Sequence, residues 1–436
     1  MYEKAAKELF AFIENSPSPF HVIDHMKTML DEHGFIGLRE DNRWKLEAGR
    51  KYYVTRNDSS IIAFAIPQQA YRGFQIIASH SDSPTFRIKE HGEMTVESLY
   101  TKLNVEKYGG MLMAPWFDRP LSIAGRVIVR DGNTIQKVLV SIDRDLVLIP
   151  NVAIHMNREI NNGYKYQPQV DMLPLFGEAD QKGKLLQIIA DQLGIDAGQI
   201  IGHELSLYNR MKGTIWGADR EFISCTKLDD LECAYASIRG LIASENQENI
   251  SVCCVFDNEE VGSGTRQGAA STFLKDTLTR INDNLGFTGE DYLSRLAGSF
   301  MLSADNGHAV HPNHPEKADP SNRPKMNGGI LIKHSANQKY TTDAVSAAVL
   351  RMICQKAEVP YQDFLNHSDI PGGSTLGNLS NMQVAVPTAD LGVAQLSMHS
   401  PYETGGIRDV YYLERMMKIF YDTAIRLDAN GNFQIG

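Results

Sequence analysis

The run Ile250-Ser251-Val252-Cys253-Cys254-Val255-Phe256 is followed at once by Asp257-Asn258-Glu259-Glu260-Val261-Gly262. The first seven residues are largely β-branched or apolar and read as a buried strand. Two adjacent glutamates at the end of such a strand are costly unless something compensates their charge. A bound cation does that for one and can leave the other to carry a proton. This places a chemical site at the edge of a sheet.

The pattern along the chain is consistent with that sheet. Residues 1–32 read as a helical start interrupted by Ser16-Pro17-Ser18-Pro19-Phe20-His21. Strands are expected at Ser60–Ile66, Gly73–Ser79, Ile250–Phe256, Phe300–Ala304, Gly329–Ile332 and Gln383–Val386. Helices are expected at Asp230–Ser244, Thr342–Lys356 and Tyr411–Leu427; in the last, Leu413, Met416, Met417, Phe420, Ala424 and Leu427 form an apolar stripe at helical spacing. Strands alternating with helices predict an α/β fold, a mixed sheet with helices on both faces and ligands gathered at strand C-termini. Between about 90 and 220 the texture changes to short alternating stretches such as Arg126–Arg130 and Lys137–Ser141, punctuated by turns, with a helix at Lys184–Leu193. The expected organisation is a discontinuous domain, residues 1–89 and 220–436, carrying a mostly β insertion over residues 90–219.

Composition excludes several classes. The chain has 436 residues, 22% of them charged, and a net charge of −10, which argues against a nucleic-acid partner. No apolar run approaches the ~20 residues that span a bilayer. The start Met1-Tyr2-Glu3-Lys4-Ala5-Ala6-Lys7-Glu8 has no signal-peptide core, so a cytoplasmic location is expected. Five cysteines without CxxC spacing (Cys225, Cys233, Cys253, Cys254, Cys354) read as reduced core thiols.

Five segments carry the chemistry: Ser79-His80-Ser81-Asp82, Thr226-Lys227-Leu228-Asp229-Asp230, Asp257-Asn258-Glu259-Glu260, Ser303-Ala304-Asp305-Asn306 and Ser397-Met398-His399-Ser400. Oxygen and imidazole donors without thiolate suit zinc, cobalt or manganese. Two histidines and three carboxylates exceed what one open tetrahedral zinc needs; they suit two ions about 3.5–4 Å apart sharing a carboxylate. Asp82 is spaced to take the second N–H of a metal-bound His80. Glu259 and Glu260 on an extended backbone are expected to face opposite ways. Each piece alone has a plainer reading: Asp229-Asp230 also suits a helix start. The ordered combination is what points to a metal centre.

The chain resembles the aspartyl aminopeptidase family, metallopeptidase family 18. The resemblance runs from Pro17-Ser18-Pro19-Phe20-His21 to Met398-His399-Ser400 and includes Ala78-Ser79-His80-Ser81-Asp82-Ser83-Pro84, Trp116-Phe117-Asp118-Arg119-Pro120-Leu121, Ile154-His155-Met156-Asn157-Arg158 and Ser303–Asn313. It implies that Asp229 bridges two zinc ions, His80 and Asp305 completing one site and Glu260 and His399 the other. It implies Glu259 as general base on a metal-bridged water, Asp82 orienting His80, and the insertion as a dimerisation domain within a tetrahedral dodecamer. It further implies that His155 reaches a neighbouring subunit's active site, and that Lys333 meets an acidic first side chain of the peptide. Gly373, Ser374 and Thr375 are expected to line the substrate pocket, where glycine permits close backbone approach. His308 and His311, beside Asp305, read as loop residues or as supports around the donors rather than as additional ligands.

Two departures bear on substrate choice. Lys227-Leu228-Asp229-Asp230 stands where the family has Arg-Leu-Asp-Asn, and Ser400-Pro401-Tyr402-Glu403 where Ser-x-Arg-Glu is usual. The expected activity is removal of an N-terminal residue, with preference for Asp or Glu. The competing expectations are an aminopeptidase of neutral or broad specificity, a deacylase or carboxypeptidase on the same two-metal site, and a purely scaffolding oligomer.

Overall fold

The computed structural model describes residues 1–436. Its centre is a nine-stranded mixed sheet, ordered Ile36–Leu38, Lys51–Arg56, Ser60–Ala65, Ile250–Phe256, Phe74–His80, Phe300–Ala304, Thr388–Gly392, Ile330–Lys333 and Tyr361–Phe364. The four middle strands, from Ile250–Phe256 to Thr388–Gly392, run parallel. Alternation explains why they read as continuous apolar runs: successive side chains enter opposite faces, and both faces are covered. Ile250, Val252, Cys254 and Phe256 pack into one core cluster, while Cys253 and Val255 pack into the other. The larger cluster takes in the helices Leu228–Ile242 and Ile407–Asp422; the smaller takes in Phe273–Asn284. All five cysteines are buried and unpaired. No helix is long and apolar enough to cross a membrane.

A second, antiparallel six-stranded sheet is formed entirely within residues 85–209, in the order Thr134–Ser141, Leu121–Asp131, Ile200–Asn209, Thr85–Val96, Tyr100–Tyr108 and Leu175–Glu178. It has its own core, in which Phe86, Ile123 and Leu205 pack with Leu185 and Ile189 of the helix Lys184–Leu193. A third sheet of five short strands includes Phe222–Cys225, Glu403–Gly406 and Ala394–Leu396. It sets the two loops that carry Asp229 and His399.

Three local expectations are corrected. The last long helix is Ile407–Asp422 and stops well before Leu427. Thr423 turns extended, and Ile425–Leu427 pairs with Phe433–Ile435 as a hairpin. Leu413, Met416, Met417 and Phe420 are buried in the core, whereas Leu427 is exposed. Gln383–Val386 is turn and irregular chain; the strand is Thr388–Gly392. There Gln383 and Val384 N–H groups still bond the Ser380 carbonyl of the preceding helix, and Pro387, lacking an N–H, joins the ladder only through its carbonyl to Met301. Finally, Glu259 and Glu260 lie in a single 3₁₀ turn between Asn258 and Gly262, both at positive φ, so the period-two argument does not apply to them. Both glutamate side chains instead face His80: one donor atom from each of the three residues lies within 4.8 Å of the others.

Candidate metal centre and active-site cleft

Parallel register brings the site together. His80 pairs with Phe256 and Ala78 with Ser303, so His80, the Asp257–Glu260 turn and Asp305 emerge side by side at one sheet edge. Asp229 arrives from the start of the helix Leu228–Ile242, and His399 from the turn between Ala394–Leu396 and Glu403–Gly406. Left-handed backbone at Lys227, Asn258, Ser397 and His399 surrounds this edge. Such conformations cost energy and are held where the fold over-determines them.

His80 is fully enclosed. Its Nδ1 lies 3.1 Å from the Asp82 carbonyl oxygen and 3.4 Å from Asp82 Oδ1, while Nε2 lies 3.6 Å from Asp229 Oδ1. The opposite oxygen of Asp229 is 3.2 Å from His399 Nε2, which is 3.3 Å from Glu260 Oε2. Three overlapping donor groups result: His80 with Asp229, Asp230 and Asp305; His80 with Glu259 and Glu260; and Asp229 with Glu260 and His399. All the residues expected as metal ligands lie in these groups, and His80, Asp229 and Glu260 are each shared between two.

The electrostatics are those of a cation-binding site. Burial, then Asp230 and Asp229, act on His80 in opposite senses, and the carboxylates prevail, holding its pKa well above the usual value. Burial pushes Glu259 up to about 8 and Asp305 up to about 6, with Lys333 opposing the rise at Asp305. Asp229 is the exception: burial would raise it, but His399 and His80 hold it below the usual carboxylate range. Asp229 Oδ1, Asp230 Oδ1 and Glu260 Oε1 are buried without a hydrogen-bond partner. Buried carboxyl oxygens without partners are rare unless a bound group satisfies them. The donor set therefore fits hard or borderline divalent cations such as zinc.

The supports around these donors were only partly foreseen. Asp82 does more than face His80: its two oxygens accept the Glu259 and Glu260 backbone N–H groups at 3.1 and 3.2 Å, and the Tyr108 hydroxyl donates to it at 2.6 Å. Glu403 accepts the His399 N–H at 2.7 Å and the Asp229 N–H at 2.9 Å. Asp230 accepts the His80 N–H at 3.1 Å. Sequence reasoning did not give Asp230, Tyr108 or Glu403 a role; only the adjacency of Asp230 to Asp229 and the four-residue spacing of Glu403 from His399 signalled two of them.

The donors open into a cavity of about 280 Å³, also lined by Lys333, Tyr340, Gly373, Ser374 and Thr375. Lys333 is only 2% exposed. Its ammonium donates to the carbonyls of Asp305 and Asn306 at 2.9 and 3.0 Å and lies 4.8 Å from the Tyr340 ring centre. Thr375 is buried and its hydroxyl is bound to Asp390, so this side chain serves the wall itself. His155 is far from such enclosure: it is exposed, between the strands Thr134–Ser141 and Leu175–Glu178, and no residue of 151–167 lines the cavity of its own chain. His308 borders the cavity but belongs to none of the three donor groups.

A family model described as Aminopeptidase I zinc metalloprotease (M18) matches residues 12–421. The chain belongs to the M18 family of zinc aminopeptidases. The enzyme is 48% identical over 425 residues to a probable M18 family aminopeptidase 2 of Clostridium acetobutylicum, spanning 96% of this chain and 98% of that relative. Among solved structures it is similar to a chain in the cryo-EM structure of the Ape4 and Nbr1 complex, with a TM-score of 0.93, 35% identity and coverage of 97% and 86% of the two chains. The S. cerevisiae mApe1 dodecamer gives a TM-score of 0.85 at 30% identity, covering 96% of this chain and 97% of that one.

Proposed function

We propose that this aminopeptidase binds two divalent cations, zinc foremost, and removes a single N-terminal residue with Glu259 as general base. The carrying observation is the sharing of Asp229, whose two carboxylate oxygens face His80 on one side and His399 on the other. In this reading His80 and Asp305 would hold one ion, Glu260 and His399 the other, and Asp229 would serve both. The cations would supply polarisation of the scissile carbonyl and acidification of the attacking water.

The remaining work falls to the chain. Glu259 lies at the cavity wall, and burial gives its carboxyl an affinity for protons suited to accepting one near neutral pH. It takes the water proton and returns it to the departing amine. Asp82 fixes the Glu259–Glu260 turn through both backbone N–H groups, so base and ligand are aimed together. The acidic side of the cavity at Asp305, with Glu260 in the donor cluster beside it, suits the substrate's free α-ammonium, which an exopeptidase must recognise.

A preference for Asp or Glu at the peptide N-terminus is supported by Lys333, a buried cation on the cavity wall. A neutral or broad specificity is the second reading. Two of the three Lys333 N–H donors are already taken by carbonyls, which leaves less for a substrate carboxylate. Hydrolysis of Asp-, Glu-, Leu- and Lys-nitroanilides by zinc-restored enzyme decides between them. Acidic substrates leading would support the first reading, Leu or Lys leading the second. Cleavage of N-blocked peptides alone would favour a deacylase.

Residues 90–219 are proposed as a self-association domain. The exposed apolar side chains of Val152, Ile154 and Met156 flank His155, as expected of a segment covered by a second copy. The dodecameric mApe1 neighbour supports a closed assembly, here proposed as tetrahedral, in which His155 contacts substrate in an adjacent subunit. Five reduced thiols accord with a cytoplasmic enzyme.

A further inference from the structure

Beside the metal cavity lies a second chamber of about 360 Å³, and both are lined by His308 and Phe364. The rings of these residues meet edge to face with centroids 6.2 Å apart. The chamber is lined by His308, His311, His314, His367 and Lys317, and no Asp or Glu lines it. In a chain of net charge −10, such a lining sets it apart from the acidic metal cavity next door.

The chemistry of the rings makes the chamber a donor site. His311 Nδ1 accepts the Asn313 backbone N–H, and His367 Nδ1 accepts the Asp369 backbone N–H, each at 3.2 Å. A neutral imidazole whose Nδ1 is an acceptor carries its proton on Nε2. Both rings therefore keep an Nε2–H to give. The nearby carboxylates lie on the Nδ1 side: Glu316 is 3.2 Å from His314 Nδ1, and Asp369 is 4.0 Å from His367 Nδ1. A further observation points to a ligand. Gln395 lines the chamber and is 1% exposed; its Oε1 accepts from Asn306, but its Nε2 has no partner. A buried N–H group without an acceptor is costly unless a bound group supplies one.

We propose that this chamber is a subsite for a carboxylate of the peptide portion that lies beyond the cleaved bond, recognised by His311, His367, Gln395 and Lys317. It rests on the aminopeptidase reading, since an enzyme that cuts after the first residue must house the second and third past its metal cavity. The apolar side chains of Phe364 and Leu396 take the adjoining methylene groups. A carboxylate can enter from two sources, an acidic second side chain or the C-terminus of a short peptide.

The test uses the zinc-loaded, assembled enzyme and peptides sharing one good first residue. One pair carries Glu or Gln at the second position, both as C-terminal amides. The other pair carries Ala-Ala as free acid or amide. The carboxylate member of at least one pair should show about tenfold higher kcat/KM, a gain typical of a hydrogen bond to a charged group. That ratio should fall toward one in the double variant His367→Gln, Lys317→Ala. The responding pair identifies the source of the carboxylate. Ratios within about twofold of one in both pairs, or a ratio untouched in the double variant, would overturn the subsite. A double variant that instead shifted the Asp-over-Leu nitroanilide ratio would move the chamber to the first side chain and overturn its placement. If no peptide is cleaved while blocked substrates are, the aminopeptidase reading itself has failed.

Discussion

Glu403 and Asp229 are joined by a hydrogen bond of 2.9 Å in which the Asp229 backbone N–H donates to a carboxylate that is itself 1% exposed. The other oxygen of that carboxylate takes the His399 N–H. One buried group thus ties together two residues of the candidate donor cluster that come from segments about 170 positions apart. Replacing Glu403 with Ala leaves two buried N–H groups without acceptors. Groups that orient metal ligands typically contribute 10–100-fold in metal affinity. Glu403→Ala should weaken zinc binding by about that factor, read by competition with a chelator, while Glu403→Gln, which keeps one acceptor, should lose less. Equal zinc affinity in all three proteins would remove this role.

The metal-free enzyme should lose stability as pH rises from 5 to 8. Burial lifts Glu259 and Glu232 to about 8 and Asp409 to about 7. Their folded values lie above their unfolded ones, so between those values the folded chain binds more protons and stability falls with rising pH. Thermal melts of chelator-treated protein at pH 5.5 and 8 should show the higher Tm at 5.5. A melting point that climbs steadily across this range would contradict the assigned environments.

Zinc loading should release protons. His80 and Glu259 are held above their usual values by the crowded anionic cluster and by burial respectively, and both must be deprotonated to serve at a cation. Calorimetric titrations in buffers of different ionisation enthalpy should report net proton release at pH 7 and tighter binding at pH 8 than at pH 6. Binding without proton exchange would count against this cluster as the zinc site.

Lys333→Met should compress selectivity. The ammonium that an acidic first side chain would meet is removed, and the ratio of kcat/KM for Asp- over Leu-nitroanilide should drop about tenfold or more. Overall rates should fall as well, because the Asp305 and Asn306 carbonyls lose their donor. An unchanged ratio would leave Lys333 as a structural cation and favour broad specificity.

Much of the site was legible because it sits where parallel strands end. A run such as Ile250–Phe256 announces itself by composition, and the residues just past it must emerge at the ligand edge. His80, Glu259, Glu260 and Asp305 were readable for that reason. Asp229, at a helix start, and His399, in a turn, also stood out as candidates past apolar segments, and the division of all five donors between two ions came only from the family resemblance. Tyr108 and Glu403 escaped notice because their roles depend on contacts across long sequence separations, Tyr108 to Asp82 and Glu403 to Asp229, which no local pattern encodes. The last helix ends before its apolar pattern does, for a related reason. Apolar Ala424 and Leu427 keep helical spacing, yet Ile425–Leu427 pairs with Phe433–Ile435, a partner six or more residues further on that the spacing does not reveal. The fate of Lys333, a strand-end lysine, was set by the neighbouring carbonyls of Asp305 and Asn306.

The central claim is metal-dependent exopeptidase chemistry with Glu259 as base. The most direct measurement is zinc content and turnover for the native chain and Glu259→Gln, both stripped and reloaded. Two zinc ions per chain in each protein, with turnover in the variant lower by about a thousandfold, is the predicted result. A variant that holds its zinc and cleaves at a near-native rate would contradict the assignment of the base.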